Sequence, residues 1–163
     1  MHRLGGLANR VRWVRPENVH LTLKFLGDIR EEALGDLRVA LEKVCAGHAP
    51  FDVEVAGLGA FPSAQRARIL WAGVRGPGFE ELRSLAADLH DAIASLGFER
   101  EERPYTPHLT LGRVRGQPGN LDPLPEDAEN SGFRVRQVEL VESTLTPKGA
   151  VYQTVGAFAL REK

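Results

Sequence analysis

The chain predicts an α+β fold of two pseudo-symmetric lobes, with antiparallel sheets lining a central cleft and helices packed outside them. Three observations carry this expectation. Two segments place apolar residues at helical spacing, and several others alternate apolar and polar residues as half-buried strands do. The tetrapeptide His-Leu-Thr-Leu also occurs twice, as His20-Leu21-Thr22-Leu23 and His108-Leu109-Thr110-Leu111. Each copy is followed by a Phe-led alternating segment and then by a partner segment, so the two halves repeat one pattern. Residues 1–163 read as a single bilobal domain, long enough to bury a sizeable core.

The elements follow in order. After Trp13-Val14-Arg15-Pro16 and a turn at Glu17-Asn18, residues 19–26 read as a strand ending at Gly27-Asp28. Residues 30–46 form an amphipathic helix: Leu34, Leu37, Leu41, Val44 and Cys45 share a stripe, Glu31 and Glu32 suit its positive end, and Gly47 lies just beyond. Residues 51–58 and 68–74 are extended, joined by a loop with Gly59, Phe61, Pro62 and Ser63. Gly76-Pro77-Gly78 breaks the chain before the second helix, whose stripe is Phe79, Leu82, Leu85, Ala86, Leu89, Ala92, Ile93 and Leu96, with Gly97 as the stop. The second tetrapeptide opens a strand over 108–114, and residues 116–130, rich in Gly, Pro, Asp and Asn, form a long irregular loop. Residues 133–145 and 150–160 are two further strands around a turn at Pro147-Lys148-Gly149.

Charge and composition exclude several classes. A net charge of −1 argues against a bulk binder of duplex nucleic acid, although it leaves room for a local basic cleft. The single cysteine, Cys45, has no partner for an internal disulfide and sits on an apolar helix face, as an inert buried thiol in a reducing compartment would. No run is apolar enough for a membrane span and no signal-peptide pattern opens the chain, so a cytoplasmic location is expected. His2, His48 and His90 have no companions at metal-ligand spacing and read as surface residues, so no metal is expected. Gly57-Leu58-Gly59 and Gly76-Pro77-Gly78 match no nucleotide-binding fingerprint.

The duplicated tetrapeptide is where chemistry concentrates. In extended backbone His and Thr of each copy point to one face and the two leucines to the other. Imidazole titrates near neutral pH, so two of them facing each other across the cleft supply an acid and a base. Placed on opposite sides of a phosphorus atom, they activate water and protonate a departing sugar oxygen. Thr22 and Thr110 add hydroxyl donors for the nonbridging oxygens. Arg113 and Arg115 follow the second copy, but strict alternation turns Arg113 away from the His108 face unless Gly112 hosts a bulge. A lone strand histidine would ordinarily have a structural role; the doubled motif is what shifts the reading to catalysis. Trp13 and Trp71 read as packing residues.

Residues 18–27, Asn-Val-His-Leu-Thr-Leu-Lys-Phe-Leu-Gly, residues 107–113, Pro-His-Leu-Thr-Leu-Gly-Arg, and Gly149-Ala150-Val151-Tyr152 resemble the two-histidine phosphoesterase superfamily. Within it the resemblance is to the RNA 2′,3′-cyclic phosphodiesterases, also called 2′-5′ RNA ligases. The resemblance implies a metal-independent, cofactor-free enzyme that opens a 2′,3′-cyclic phosphate at an RNA end to a 2′-phosphate. It also implies joining or cleaving of 2′-5′ linkages at ends such as those of tRNA halves, by a monomer. By the same resemblance His20 and His108 are catalytic, with His108 activating water and His20 protonating the 3′ oxygen. Thr22, Thr110 and Arg113 bind phosphate, and Phe25 contacts the terminal base or sugar, with a core aromatic as its alternative. Other readings are a phosphodiesterase of 2′-5′ oligonucleotides or small cyclic nucleotides, and a noncatalytic RNA-end binder. Members of the family usually begin with a strand of the kind Arg-x-Phe-x-Ala and a helix; residues 1–7 do not match it, so this chain is expected to start late, leaving a sheet edge prone to association.

Overall fold

In the computed structural model the residues described are 9–101, 103–121, 124, 131–147 and 149–162. Seven strands and two α-helices are present among them: β1 (Val11–Trp13), α1 (Leu34–Ala46), β2 (Phe51–Phe61), β3 (Ile69–Arg75), α2 (Phe79–Ser95), β4 (His108–Val114), β5 (Ser131–Val135), β6 (Gln137–Thr146) and β7 (Gly149–Ala159). Strands β1 to β5 form one sheet in the order β1-β4-β3-β2-β5, and β6 pairs with β7 in a second. The ladders resolved between β1 and β4, β2 and β3, β3 and β4, and β6 and β7 are antiparallel. The α+β class and the antiparallel sheets agree with the sequence.

The chain divides into two compact units, but they do not follow the sequence halves. One contains residues up to Leu23, Val53–Gly76 and Thr106–Phe133; the other contains Lys24–Asp52, Pro77–Tyr105 and Arg134–Lys163. Both tetrapeptides fall in the first unit.

That first unit is built on the sheet. Leu70 and Ala67 are fully buried and pack with Leu121 beneath Ala60, Leu111 and Val114. The second unit carries both helices and the β6–β7 hairpin. Helix α1 buries Leu37, Leu41 and Cys45, and α2 buries Leu82, Leu85, Ala86, Leu89 and Ile93, the stripes that helical spacing marks. Glu80 and Glu81 open α2 and Lys43 closes α1, each of the sign that favours that end of a helix. The Arg38 side chain donates to the Val155 carbonyl of β7, and Arg161 N–H donates to the His48 carbonyl at 2.9 Å.

Four local expectations change. Among the described residues, 19–26 do not pair as a continuous strand and meet the sheet at an isolated antiparallel bridge, Leu21 to Leu109 of β4. A short strand not foreseen, β1, already occupies that edge of β4 opposite Gly112, Arg113 and Val114, and Val14 N–H extends it to the Leu111 carbonyl at 2.8 Å. A 3₁₀ turn at Pro16–Asn18 then carries the chain off the ladder, and it returns at Leu21.

The segment 133–145 is two strands, β5 and β6, broken at Arg136, whose carbonyl accepts from Leu160 N–H at 2.8 Å. They belong to different sheets, and side-chain alternation alone does not reveal such a change of partner. The loop after β4 is anchored where it is described. Gly119 and Ala67 exchange backbone hydrogen bonds at 2.8 and 3.0 Å, and Leu121 is buried. The rest of that loop and residues 1–7, on which the expectation of a late start rests, lie outside the described residues.

His48 and His90 are half-buried rather than surface residues. The His48 ring meets the Asp88 carboxylate at 2.9 Å, and His90 packs edge-on against Tyr105. His2 lies outside the described residues.

Candidate active site

The two tetrapeptides are neighbours on one sheet face. In the antiparallel bridge Leu21 stands opposite Leu109, so its register sets His20 across from Thr110 and Thr22 across from His108. Leu109 is buried, which turns the four polar side chains to the other face. The two histidines are then diagonal neighbours across a strand pair, roughly 7–8 Å apart at the backbone. That is wide enough for a phosphorus with one oxygen directed at each ring.

Both rings are fixed in the same way. His20 Nδ1 donates to the Asn18 carbonyl at 2.8 Å and His108 Nδ1 donates to the Thr106 carbonyl at 2.7 Å. A carbonyl only accepts, so Nδ1 carries a hydrogen in each case. In the neutral ring the lone pair is thereby left on Nε2, and in the cation Nε2 becomes a second donor. Each copy thus carries its own orienting carbonyl two residues upstream of the histidine.

Arg113 joins this face by way of a distortion. Along β3, Gly73, Trp71 and Ile69 share one side; Gly73 pairs with His108, Trp71 with Thr110, and Ile69 with Arg113. Between Leu70 and Trp71 the register shifts, and Leu111 is the extra residue on β4. The bulge inverts the alternation and brings Arg113 to the side of Thr110 and His108. Gly112 beside it is needed for close approach, since a Cβ there would lie 2.4 Å from Val11 Cγ1 and 3.0 Å from the Arg12 carbonyl.

Two aromatic residues that sequence reasoning left out of the site stand against His108. The Phe61 ring meets it edge-on with centroids 5.1 Å apart, and the Trp71 ring lies 6.1 Å away and tilted. Phe61 and Trp71 are themselves in contact at 5.2 Å. Trp71 was read as packing; its closeness to His108 follows from the β3–β4 register, which the sequence does not display. Gly59 makes the room: a Cβ at that position would sit 2.1 Å from Trp71 Cζ2. The indole Nε1 is buried with no hydrogen-bond partner among the described residues.

Phe25 falls in the other unit, where its ring is 83 % exposed, which removes the core reading of that residue. Among the described residues no three His, Cys, Asp or Glu side chains gather as metal ligands would.

The face also has a distinct electrostatic setting. Among the described residues of its unit, Arg10, Arg12, Arg15, Arg66, Arg68, Arg75, Arg113 and Arg115 stand against only Glu17 and Glu54. By sequence the whole unit holds nine arginines and six acidic residues, a modest positive excess within a chain of net charge −1, which favours phosphate.

A family model described as "LigT like Phosphoesterase" matches residues 3–71 and 74–152. The chain is 39 % identical over 157 residues to an RNA 2′,3′-cyclic phosphodiesterase of Methanothermobacter thermautotrophicus, covering 93 % of this chain and 83 % of the relative. It is 35 % identical over 161 residues to the protein of the same name from Archaeoglobus fulgidus, covering 97 % and 88 %. Among solved structures, TT0787 of Thermus thermophilus superposes with a TM-score of 0.83 at 29 % identity, over 95 % of this chain and 85 % of that one. E. coli LigT complexed with 3′-AMP superposes with a TM-score of 0.82 at 26 % identity, over 99 % and 88 %. The paired His-Thr face thus comes with family-wide likeness in sequence and fold, and the chain belongs to the LigT-like phosphoesterases of the two-histidine superfamily.

Proposed function

We propose that this protein is an RNA 2′,3′-cyclic phosphodiesterase that opens a terminal cyclic phosphate to a 2′-phosphate by proton transfer between two histidines. The observation that carries the reading is the Leu21–Leu109 bridge, whose register brings two His-Thr pairs onto one face. The relatives' shared name supplies the substrate class.

In this mechanism neutral His108 accepts a proton at Nε2 from a water that attacks phosphorus. The bond from phosphorus to O3′ breaks, and His20, as the cation, gives its Nε2 proton to O3′. Its Nδ1–H stays on the Asn18 carbonyl throughout, so the ring is oriented in both protonation states. Thr22, Thr110 and Arg113 hold the nonbridging oxygens, where charge grows in the transition state. A 5′-hydroxyl in the place of water gives 2′-5′ joining with the same roles. In the reverse reaction the 3′-hydroxyl attacks phosphorus, the 5′ oxygen leaves, and by microscopic reversibility the roles exchange. No metal or nucleotide cofactor takes part, and the protein acts as a cytoplasmic monomer on ends such as those of tRNA halves.

The test is incubation in EDTA with a short RNA ending in a 2′,3′-cyclic phosphate, with the product identified by phosphatase sensitivity and chromatography. A 2′-phosphate from the parent, undiminished by EDTA and absent with His108→Ala, is expected. No product from folded parent protein, or only a 3′-phosphate, overturns the reading.

A further inference from the structure

We infer that the Trp71 indole, extended by the Phe61 ring, is a platform on which the terminal nucleobase of the substrate stacks; this rests on the function proposed above. One rung of the sheet leads from the phosphate to the platform. The Leu21–Leu109 register sets His20 across from Thr110, Thr110 pairs with Trp71, and Trp71 pairs with Gly59. A phosphate held between the two histidines sits at one end of that rung, and the indole lies toward the other. With neighbouring strands about 4.8 Å apart the separation is roughly 5–7 Å, which a single ribose bridges.

The indole lies down on the sheet instead of standing up from it. A Cβ at Gly59 would fall 2.1, 2.3 and 2.5 Å from its Cζ2, Cη2 and Cε2, and a Cβ at Gly73 would fall 3.6 Å from its Cζ3. The six-membered ring therefore covers two glycines on adjacent strands, with one face toward the backbone. Phe61 is inclined to it by only 33°, whereas the His108 ring is turned 81° from Phe61 and 57° from Trp71. Two rings thus make a floor, and the imidazole stands at its margin. Both floor residues are half-buried, so each keeps part of its surface open.

Packing alone does not call for an indole at this position. Its Nε1 is buried with no hydrogen-bond partner among the described residues, a cost that a phenyl ring avoids. What the indole adds is a broad π face, and every nucleobase has a face to lay on it. Such a contact accepts all four bases and favours the larger purines.

The experiment compares kcat/KM for tetranucleotides whose terminal 2′,3′-cyclic phosphate is on adenosine, on uridine, or on 1-O-methylribose, which has no base. The parent prefers adenosine to the base-free end about tenfold or more, with uridine between them. Trp71→Leu lowers that preference about fivefold or more, chiefly through KM, and Trp71→Phe keeps most of it. A loss shared by all three ends reports on the support of His108, so the ratio isolates the stacking contact. Should Trp71→Leu fail to fold, Phe61→Leu narrows the platform from its other side and lowers the same ratio about threefold. A parent indifferent to the base, or a parental ratio in the folded leucine variant, overturns the inference.

If the parent turns over none of the three, it is the proposed function that fails. Calorimetric binding of adenosine 2′-phosphate and of 1-O-methylribose 2-phosphate then decides the matter for Trp71. Tighter binding of the nucleotide by the parent, lost in the leucine variant, supports the platform. Equal affinities in the parent, or no binding of either compound, contradict it.

Discussion

His20 and His108 open identical tetrapeptides and have the same Nδ1 bond to the carbonyl two residues upstream, yet they sit in different surroundings. His108 begins a strand paired to β3, and its half-buried ring rests on Phe61 and Trp71. His20 lies on a segment that meets β4 at the Leu21–Leu109 bridge, and it is exposed. The tetrapeptide with its upstream carbonyl therefore encodes face and ring orientation locally, while the neighbouring strands decide what packs against the ring.

The largest effects should come from breaking either member of the pair. His20→Ala and His108→Ala are each expected to lower kcat on a cyclic-phosphate RNA by about 10³-fold or more, and the double variant little further, because the two act as a unit. Additive losses in single-turnover assays would show that they do not. Thr22→Val and Thr110→Val keep shape and remove the hydroxyl, and should each lose about 10²-fold in kcat.

The next change touches only one copy. A Cβ from Gly59→Ala displaces the Trp71 indole, so kcat should fall about tenfold and the His108 ring resonances shift in NMR, with those of His20 unmoved. Movement of both rings would mean that the aromatic wall is not specific to His108.

Stability separates the wall from its polar atom. Trp71→Ala should cost about 3–5 kcal/mol in urea unfolding. Trp71→Phe should stay within ~1 kcal/mol of the parent, since relief of the partnerless indole N–H offsets the smaller ring.

The smallest effect lies away from the pair. Burial pushes the Cys45 thiol up to about 11, and Tyr105 is raised by burial as well. The folded state keeps these protons while the unfolded chain releases them, so stability should fall as pH rises from about 9 to 11. In Cys45→Ala that slope should be shallower in pH-dependent urea titrations.

How much of this was legible in the sequence depended on the range of the determinant. The helices were, because an apolar stripe such as Leu82, Leu85, Leu89 and Ile93 is a local periodic signal in a long segment. So was β4, a regular strand from His108 to Val114. Residues 19–26 carry the same alternation, but alternation does not record which edge a segment pairs with or over what length: β1 pairs with Gly112, Arg113 and Val114, and Leu21 bridges Leu109. Arg113 shows the same limit: alternation turns it away, and only the pairing of Ile69 with Arg113 across the Leu111 bulge brings it back. The places of Trp71 beside His108 and of Arg12 beside Arg113 are likewise properties of register, which no local pattern records. Each compact unit gathers three separate stretches of chain, a division that sequence order alone does not display.

The central claim is that two copies of one tetrapeptide divide base and acid between them. It is tested most directly by pairing each alanine variant with two substrates, the cyclic-phosphate RNA and a p-nitrophenyl phosphodiester whose leaving group needs no proton. His20→Ala should lose about 10³-fold on the RNA and regain most of the parental rate on the nitrophenyl ester, whereas His108→Ala should remain crippled on both. Equal losses by both variants on both substrates would contradict a division of labour between the two histidines.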